Sequence, residues 1–315
     1  MTIAKYRNGL PQLRGQAMLT DGGLETTLVF IQGIDLPYFA AFDLLRTAEG
    51  TKTIRDYYSP YARIAIESGK GFVLASPTWR ASADWGDRLG YSAKALDQVN
   101  RDAISLLAEI RATFETPENP FVLSGDMGPR GDGYDPSHRM SVDEAQDYHA
   151  TQIGTFADTE ADLVSILTLN YVEEAIGIVR AAQAAGIPSA ISFTVETDGR
   201  LPTGQSLGDA IEQVDAETGN GPAYFMINCA HPTHFSGAIL EDAPWKKRVW
   251  GLRANASRLS HAELDNSEEL DAGNPAELGR QYKELQSHLP NLKVFGGCCG
   301  TDHRHVGEIA RHISV

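Results

Sequence analysis

The sequence contains little cysteine, with three thiols in 315 residues. A small and odd number of cysteines excludes a disulfide framework, and it leaves metal binding, catalysis or inert burial as their roles. Positive charge is also scarce, because 27 lysines and arginines stand against 42 aspartates and glutamates. The formal net charge of −15 disfavours nucleic acids and anionic membranes as partners, since both attract positively charged surfaces.

Long apolar runs and flexible linkers are missing as well. No segment of about 18 apolar residues is present to span a bilayer. Residues 1–14 lack the apolar core and the small-residue cleavage site of a signal peptide. No stretch rich in proline, glycine or serine separates two halves. We therefore expect a cytoplasmic protein with one domain over residues 1–315, while the sequence leaves the oligomeric state open.

Short apolar runs alternate with helical periodicity along the chain. Strands are predicted at Ala17–Thr20, Gly71–Ala75, Phe121–Ser124, Leu163–Leu167, Ser189–Phe193, Ala223–Ile227, Arg248–Leu252 and Leu292–Phe295. The clearest helices are predicted at Thr51–Ser68, Lys94–Thr113, Val142–Thr159, Val172–Ala185 and Pro275–His288. Eight strand–helix units predict an α/β fold, a single-domain (β/α)8 TIM barrel, with a doubly wound open sheet as the alternative.

Local signals mark the helix ends and the longer connections. Ser141 ahead of Glu144 predicts a capping box, and Gly186 stands where a helix should end. The connections Arg80–Tyr91 and Arg130–Arg139 are longer than a minimal strand–helix loop requires. On a barrel, such loops build the active-site face.

The strongest local motif is the run Val294–Thr301, in which an apolar strand leads into Gly-Gly-Cys-Cys-Gly. Thiolates are good zinc ligands, and flanking glycines let the backbone bend enough for Cys298 and Cys299 to reach one metal. Cys229 follows another apolar strand, so all three sulfurs are expected at the C-terminal rim of the barrel. The pattern predicts a metal site, with inert buried cysteines as the alternative.

Three protein ligands indicate a catalytic metal, since a structural zinc site is closed by four. A substrate thiol could take the open position, where coordination would keep it deprotonated at neutral pH. Such a thiolate is suited to in-line attack on a methyl group. We expect no catalytic residue beyond the zinc site itself, because alignment of the two reactants supplies most of the rate.

A second motif, Asp21-Gly22-Gly23, ends the first predicted strand. Its carboxylate and backbone N–H groups could hold the amino-acid end of a substrate. An ordinary turn is the alternative, because Asp-Gly-Gly is common turn chemistry.

These motifs resemble those of the homocysteine S-methyltransferase family, which includes S-methylmethionine- and betaine-dependent enzymes. The resemblance covers nearly the whole chain and is carried by Asp21-Gly22-Gly23, Ser124-Gly125-Asp126-Met127-Gly128-Pro129, Ile191-Ser192-Phe193-Thr194, Asn228-Cys229 and Gly296-Gly297-Cys298-Cys299-Gly300-Thr301. It implies a TIM barrel in which the three cysteines hold zinc and the thiol acceptor completes the coordination. Asn228 is then expected to orient a ligand or the substrate rather than to bind the metal.

One segment departs from the family pattern. Relatives typically end the fourth strand with Phe-Glu-Thr, and the glutamate helps to bind the amino group of homocysteine, whereas this chain has Leu167 there. Losing that carboxylate removes a contact worth about 1.5–3 kcal/mol. Glu196 and Asp198 are candidates to replace it. Trp79, where relatives more often carry another residue, is predicted to line the substrate pocket or to contact a cationic donor.

The resemblance implies methyl transfer from a sulfonium or quaternary-ammonium donor to a zinc-bound thiolate, with homocysteine as acceptor and methionine as product. Both partners are small molecules, and a cobalamin-bound partner protein as donor is left open. A zinc-dependent hydrolase and a non-catalytic thiol- or metal-binding relative are the alternatives. Histidines after the cysteine-bearing strands are not expected to be ligands; they are His231, His234, His303 and His305.

Overall fold

Parallel strands form a closed barrel in the computed structural model, which describes residues 4–240, 242–267 and 269–314. Within those ranges the strands are β1 (Met18–Leu19), β2 (Gly71–Ala75), β3 (Phe121–Met127), β4 (Leu163–Leu169), β5 (Ser189–Phe193), β6 (Tyr224–Asn228), β7 (Val249–Ala254) and β8 (Val294–Gly297). Each pairs with its sequence neighbours, and β1 closes the barrel by pairing with β8. The TIM barrel is confirmed, and the open-sheet alternative is wrong because no sheet edge is left between β1 and β8.

Helices surround the strands. They are α1 (Leu24–Thr26), α2 (Ala48–Glu67), α3 (Ala83–Arg88), α4 (Ala93–Phe114), α5 (Val142–Ala157), α6 (Val172–Ala185), α7 (Leu207–Thr218), α8 (Pro232–Leu240), α9 (His261–Asp265), α10 (Pro275–His288) and α11 (His303–His312). Short 3-10 turns lie at Pro11–Arg14, Pro37–Phe39, Ala41–Arg46 and Pro244–Arg248, and a π-turn lies at Thr27–Ile31. Among the described helices, none combines the length and apolar character that crossing a membrane requires.

The predicted helix signals act as expected. The Ser141 side chain accepts from the Glu144 backbone, and the Glu144 carboxylate caps Ser141 in return. Gly186 ends α6 with φ +69°, a conformation that glycine adopts without strain. The expected loop Arg80–Tyr91 was only partly right, because it contains the two-turn helix α3. That segment is too short for periodicity to reveal a helix.

The core has two layers that are separated by the barrel wall. A large buried cluster joins strand residues to the surrounding helices. A smaller cluster consists mainly of strand residues that point into the barrel: Met18, Val73, Val122, Leu163, Leu167, Ala190, Tyr224, Met226 and Val294, with Leu10 from the N-terminal segment. This inner cluster fills the barrel as side-chain layers do in this architecture. The cavity described below is therefore confined to the C-terminal ends of the strands.

Candidate active site

The three cysteines meet at the C-terminal rim of the barrel, between the ends of β6 and β8. Their sulfur atoms all lie within 4.8 Å of one another. Among the residues that the structure describes, these three cysteines form a group that is close enough to hold a metal ion. We call Cys229, Cys298 and Cys299 the cysteine corner. The sequence predicted all three sulfurs at the C-terminal rim, and the structure brings them together there.

The backbone at the corner is unusual in ways that bring the sulfurs together. Cys229 has φ +52°, a left-handed conformation that costs energy for a residue with a Cβ atom. The carbonyl of Cys229 accepts from Asn255 Nδ2 at 3.0 Å, and its N–H donates to Arg253 O at 3.1 Å. These bonds fix the strained residue in place. Gly300, with φ +77°, provides the turn after the paired cysteines.

Two of the thiols lie within bonding distance of each other in the structure. Cys229 and Cys298 are joined as a disulfide, with a Cα–Cα distance of 5.4 Å. The sequence had suggested only that no disulfide framework exists, and it gave no sign of this pair because 69 residues separate the two cysteines. Metal ligation requires thiolates, so the metal-binding form of the corner is the reduced one.

The donor set fits a zinc ion. Thiolates bound at about 2.3 Å around a tetrahedral zinc lie about 3.8 Å apart. The Cys229 and Cys299 sulfurs have this spacing, at 3.9 Å, whereas the Cys229 and Cys298 sulfurs are in bonding contact and have to separate before both can bind a metal. Cys298 and Cys299 are only half-buried, and all three cysteines line the cavity. The corner therefore offers three soft ligands with one side open to a substrate.

Asn228 supports the corner from beneath. It is fully buried, and its Oδ1 accepts from Thr168 N at 2.8 Å and from Ser192 Oγ at 2.6 Å. Its Nδ2 donates to Thr168 Oγ1 at 2.9 Å and approaches Cys298 Sγ at 3.8 Å. Both ends of the amide are thus committed within the protein. This arrangement supports the prediction that Asn228 orients a ligand sulfur.

Asp21 is buried in an ion pair rather than left free. Its Oδ1 is 2.9 Å from Arg253 Nη2, and Tyr57 Oη donates to its Oδ2 at 3.0 Å. Arg253 also donates to the carbonyls of Gly297 and Gly22. Burial alone would lower the pKa of Arg253, but the carboxylates of Asp21 and Asp126 raise it above its ordinary value. Asp21 lines the cavity as half of a neutral pair.

The glycines of the first motif have a packing role. The Gly23 N–H donates to Thr301 O at 3.0 Å, so that donor is already used within the protein. A Cβ atom on Gly22 would lie 2.7 Å from Thr301 O, and one on Gly23 would lie 2.6 Å from Cys298 O. Only glycine permits such close approach. The Asp-Gly-Gly turn therefore holds the cysteine loop in place, and contact with substrate stays a prediction.

A cavity of about 450 Å³ opens above the corner. Its lining includes Asp21, Glu25, Trp79, Asp126, Leu167 and Arg253. The segment predicted as a loop at 130–139 contributes Asp132, Gly133 and Tyr134 to the rim. Phe30 and Phe39, which are 42% and 40% exposed, add apolar surface at the mouth. A cavity of this size accommodates small-molecule substrates.

Leu167 and Trp79 form an apolar part of the cavity. Leu167 is 5% exposed, and its carbonyl accepts from Trp79 Nε1 at 3.3 Å. The Arg80 guanidinium lies 4.6 Å from the centre of the Trp79 ring. A cation already covers that part of the indole, so contact between Trp79 and a cationic donor would need its remaining surface. Neither Glu196 nor Asp198, the suggested replacements for a carboxylate at 167, lines the cavity.

Two further carboxylates face the cavity. Burial raises the pKa of Glu25 to about 7, and the nearby Asp21 adds to the shift. Burial also raises the pKa of Asp126 well above its ordinary value, although Arg253 opposes the shift. We call Asp21, Glu25, Asp126 and Arg253 the charged wall. Sequence reasoning missed the roles of Glu25, Asp126 and Arg253, and the available signal was a charged residue at or after the end of an apolar strand.

The histidines near the cysteine strands are committed elsewhere. Burial lowers the pKa of His231 to about 4, and its Nδ1 is 2.8 Å from Thr233 Oγ1. His234 Nε2 is 2.9 Å from Arg258 O. His305 contacts Asp302 through one ring nitrogen and Ala272 O through the other, at the start of α11. These contacts give the three histidines structural partners, and the expectation that the histidines are not metal ligands stays a prediction.

Comparison with known proteins gives consistent matches. A family model described as homocysteine S-methyltransferase matches residues 18–313. The homocysteine S-methyltransferase YbgG of Bacillus subtilis is 24% identical over 245 residues, covering 70% of this chain and 74% of that protein.

Two crystal structures of the Escherichia coli homocysteine methyltransferase MmuM share the fold. The oxidized form has a TM-score of 0.78 and covers 97% of this chain and 100% of that chain. The metallated form has a TM-score of 0.74 and covers 96% and 99%, respectively. Both are 18% identical to this chain, so the structural likeness speaks for the barrel alone.

Proposed function

Because the chain belongs to the homocysteine S-methyltransferase family, we propose that it transfers a methyl group from a sulfonium or quaternary-ammonium donor to the thiol of homocysteine. The observation that carries the proposal is the cysteine corner, in which three sulfurs within 4.8 Å of one another face a cavity. Soft ligands with an open side suit a metal that binds a substrate sulfur.

Cys229, Cys298 and Cys299, once reduced, would hold a zinc ion. When bound, that ion would act as a Lewis acid and would favour the deprotonated form of the acceptor thiol at neutral pH. Asn228 limits the movement of Cys298 through the contact between Nδ2 and Sγ. Loss of a group that orients a ligand in this way commonly lowers metal affinity about 10- to 100-fold.

The remaining residues would seat and align the acceptor. The neutral Asp21–Arg253 pair fixes the cavity floor beside Gly297, directly before the paired cysteines. Leu167 and Trp79 offer apolar surface for the methylene groups of the acceptor. Holding two reactants in line can replace a large part of the entropic cost of their encounter. The rate would therefore depend on placement rather than on a proton relay.

The transfer balances without any further reactant. The acceptor loses its thiol proton to solvent on binding, and its sulfur lone pair forms the new bond to the methyl carbon. The bond between that carbon and the donor heteroatom breaks, and the electron pair stays with the donor. A sulfonium leaves as a neutral thioether and a quaternary ammonium as a neutral amine, so neither leaving group needs protonation.

A hydrolase is the second candidate, because hydrolysis at a metal requires a base in the same cavity. Glu25, whose pKa burial raises to about 7, meets that requirement for a general base. Family membership favours methyl transfer. The two reactions differ in whether a thiol is consumed, and product analysis separates them.

The test begins with reduced protein purified without chelators, whose metal content is measured by mass spectrometry. The same sample is assayed for methionine formation from homocysteine with S-methylmethionine and with betaine. One zinc per chain together with methionine supports the proposal and identifies the donor class. Zinc with donor breakdown but no thiol consumption would favour hydrolysis. Zinc with no reaction would favour a non-catalytic binding protein, and protein without zinc would contradict the metal assignment.

A further inference from the structure

Asp126, at the end of β3, is a buried carboxylate that faces the cavity. Its side chain is 6% exposed, and its Oδ1 has no hydrogen-bond partner among the described residues. The backbone around it is fixed, because Asp126 N donates to Ser76 Oγ at 2.9 Å and Thr78 Oγ1 donates to Asp126 O at 2.7 Å. A buried carboxylate oxygen without a donor is costly, so a ligand that supplies an N–H group would stabilise it.

The nearby arginine does not supply that donor. Arg253 gives its hydrogen bonds to Asp21 Oδ1 and to the carbonyls of Gly22 and Gly297. Its positive charge is matched by Asp21, so Glu25 and Asp126 leave the charged wall with an excess of acid. Both have raised pKa values because burial disfavours their ionised forms. A cation that donates hydrogen bonds would therefore offset the excess of acid in the wall and satisfy the unpartnered oxygen of Asp126.

We propose that Asp126 binds the primary ammonium group of the thiol acceptor and so selects an amino thiol over a thiol without an amine. The inference rests on the proposed function, since it assumes that the acceptor sulfur lies at the cysteine corner. A primary ammonium carries three N–H donors, whereas a methylated sulfonium or quaternary ammonium carries none. The unpartnered Oδ1 thus matches the acceptor rather than the methyl donor. Because Oδ1 itself has almost no accessible surface, the carboxylate has to turn towards the cavity to meet the ammonium group.

The strand register explains how Asp126 can act beside Leu167. In the β3–β4 pairing, Asp126 lies opposite Ser165 and Met127 lies opposite Ile166. The end of β4 presents apolar Leu167 to the cavity, while the end of the adjacent strand presents a carboxylate. The acid needed for an ammonium group is supplied from β3, and Leu167 remains free to contact carbon atoms of the same substrate.

The test measures binding of two thiols to the reduced, zinc-loaded protein by titration calorimetry. The probes are homocysteine and 4-mercaptobutanoate, which has the same carbon chain and carboxylate but no amine. In Asp126→Asn, we expect homocysteine to bind about 10- to 100-fold more weakly, as for loss of one charge-assisted hydrogen bond. Binding of 4-mercaptobutanoate should stay within about threefold of the wild-type value.

Asp132→Asn is the matched control, because it removes the same charge from an exposed residue at the rim of the same cavity. It should preserve the ratio of the two affinities. Thermal unfolding and zinc content of Asp126→Asn establish that the variant is folded and loaded. Equal weakening of both thiols, or no change for homocysteine, overturns the role of Asp126 while the proposed function stands. If neither thiol binds the wild-type protein, the proposed function itself fails.

Discussion

The cysteine corner and the charged wall belong to one cavity, yet they depend on the sequence in different ways. The corner is assembled from three residues whose type alone suggests their chemistry. The wall is assembled from common charged residues whose meaning depends on pairing across the barrel, such as Asp21 and Arg253, which are 232 positions apart. The corner therefore indicates the reaction class, whereas the wall is the region that we propose selects the acceptor.

The two regions also differ in how they tolerate change. Each corner sulfur is expected to contribute to one metal, so loss of any sulfur should abolish the function of the whole group. The wall contains a neutral pair and two additional acids, so single changes there should shift stability or selectivity by graded amounts. The following substitutions test that difference, beginning with the largest effect.

Cys298→Ser should lose most of its bound zinc, because a hydroxyl is a far poorer zinc ligand than a thiolate. We expect the zinc content to fall from one ion per chain to about a tenth of that or less. The rate of methyl transfer should fall with it. Mass spectrometry of the reduced protein measures the metal, and circular dichroism checks that the barrel is intact. Asn228→Ala serves as a control, since it should weaken metal binding only about 10- to 100-fold. Full zinc occupancy in Cys298→Ser would mean that the metal lies elsewhere.

Arg253→Met should destabilise the protein by about 3–5 kcal/mol, because it leaves the buried Asp21 carboxylate without its cation. Chemical unfolding of the reduced, metal-loaded protein measures the loss. The double variant Arg253→Met with Asp21→Asn removes the orphaned charge and should recover about half of it. Recovery is incomplete because the carbonyls of Gly22 and Gly297 still lack their donor. A single variant as stable as the wild type would show that the pair is not a structural part of the wall.

Leu167→Glu should tighten homocysteine binding about 3- to 10-fold, since it adds a second acid near the proposed ammonium position. In an Asp126→Asn background the gain should be larger, because the new carboxylate then replaces the missing one. Leu167→Gln is the control for shape and polarity without charge, and calorimetry compares the variants. If glutamate binds homocysteine no better than glutamine does, residue 167 does not face the amine. That result would separate this position from the charged wall.

Much of the fold could be predicted because its signals are local. The helix α6 has the predicted bounds, and the strands β2 and β5 do as well. The predicted β8 ended at Phe295, whereas the strand extends to Gly297. The glycines there carry no apolar pattern, yet their backbones pair with Arg253 and Ala254 of β7. Strand ends are set by pairing between distant segments, which periodicity does not report.

The site was predictable only where residue type limits the chemistry. Cysteine has few roles in such a chain, so the corner followed from the sequence. Aspartate and arginine have many roles, so neither the Asp21–Arg253 pair nor the unpartnered Asp126 could be inferred before the strand ends were placed in space. The left-handed conformation of Cys229 was hidden for the same reason, because hydrogen bonds from β7 and the following loop hold it there.

Glu25 tests whether the wall is acidic in the way its burial implies. Burial raises its pKa from 4.5 to about 7 in the folded protein. The folded state therefore holds the proton more tightly than the unfolded state, and ionisation destabilises the fold as pH rises from about 4.5 to about 7.

The variant Glu25→Gln has no carboxyl proton to lose, so it does not undergo this destabilisation. The stability of Glu25→Gln relative to the wild type should thus grow by about 1–3 kcal/mol over that interval, the lower value allowing for partial solvent contact. Chemical unfolding at a series of pH values measures the difference in the free energy of unfolding between the two proteins. The contributions of most other titrating groups cancel in that difference, because both proteins contain them. Two parallel curves would mean that Glu25 is solvated in the folded protein, and Asp126 would then be the principal unpaired acid of the wall.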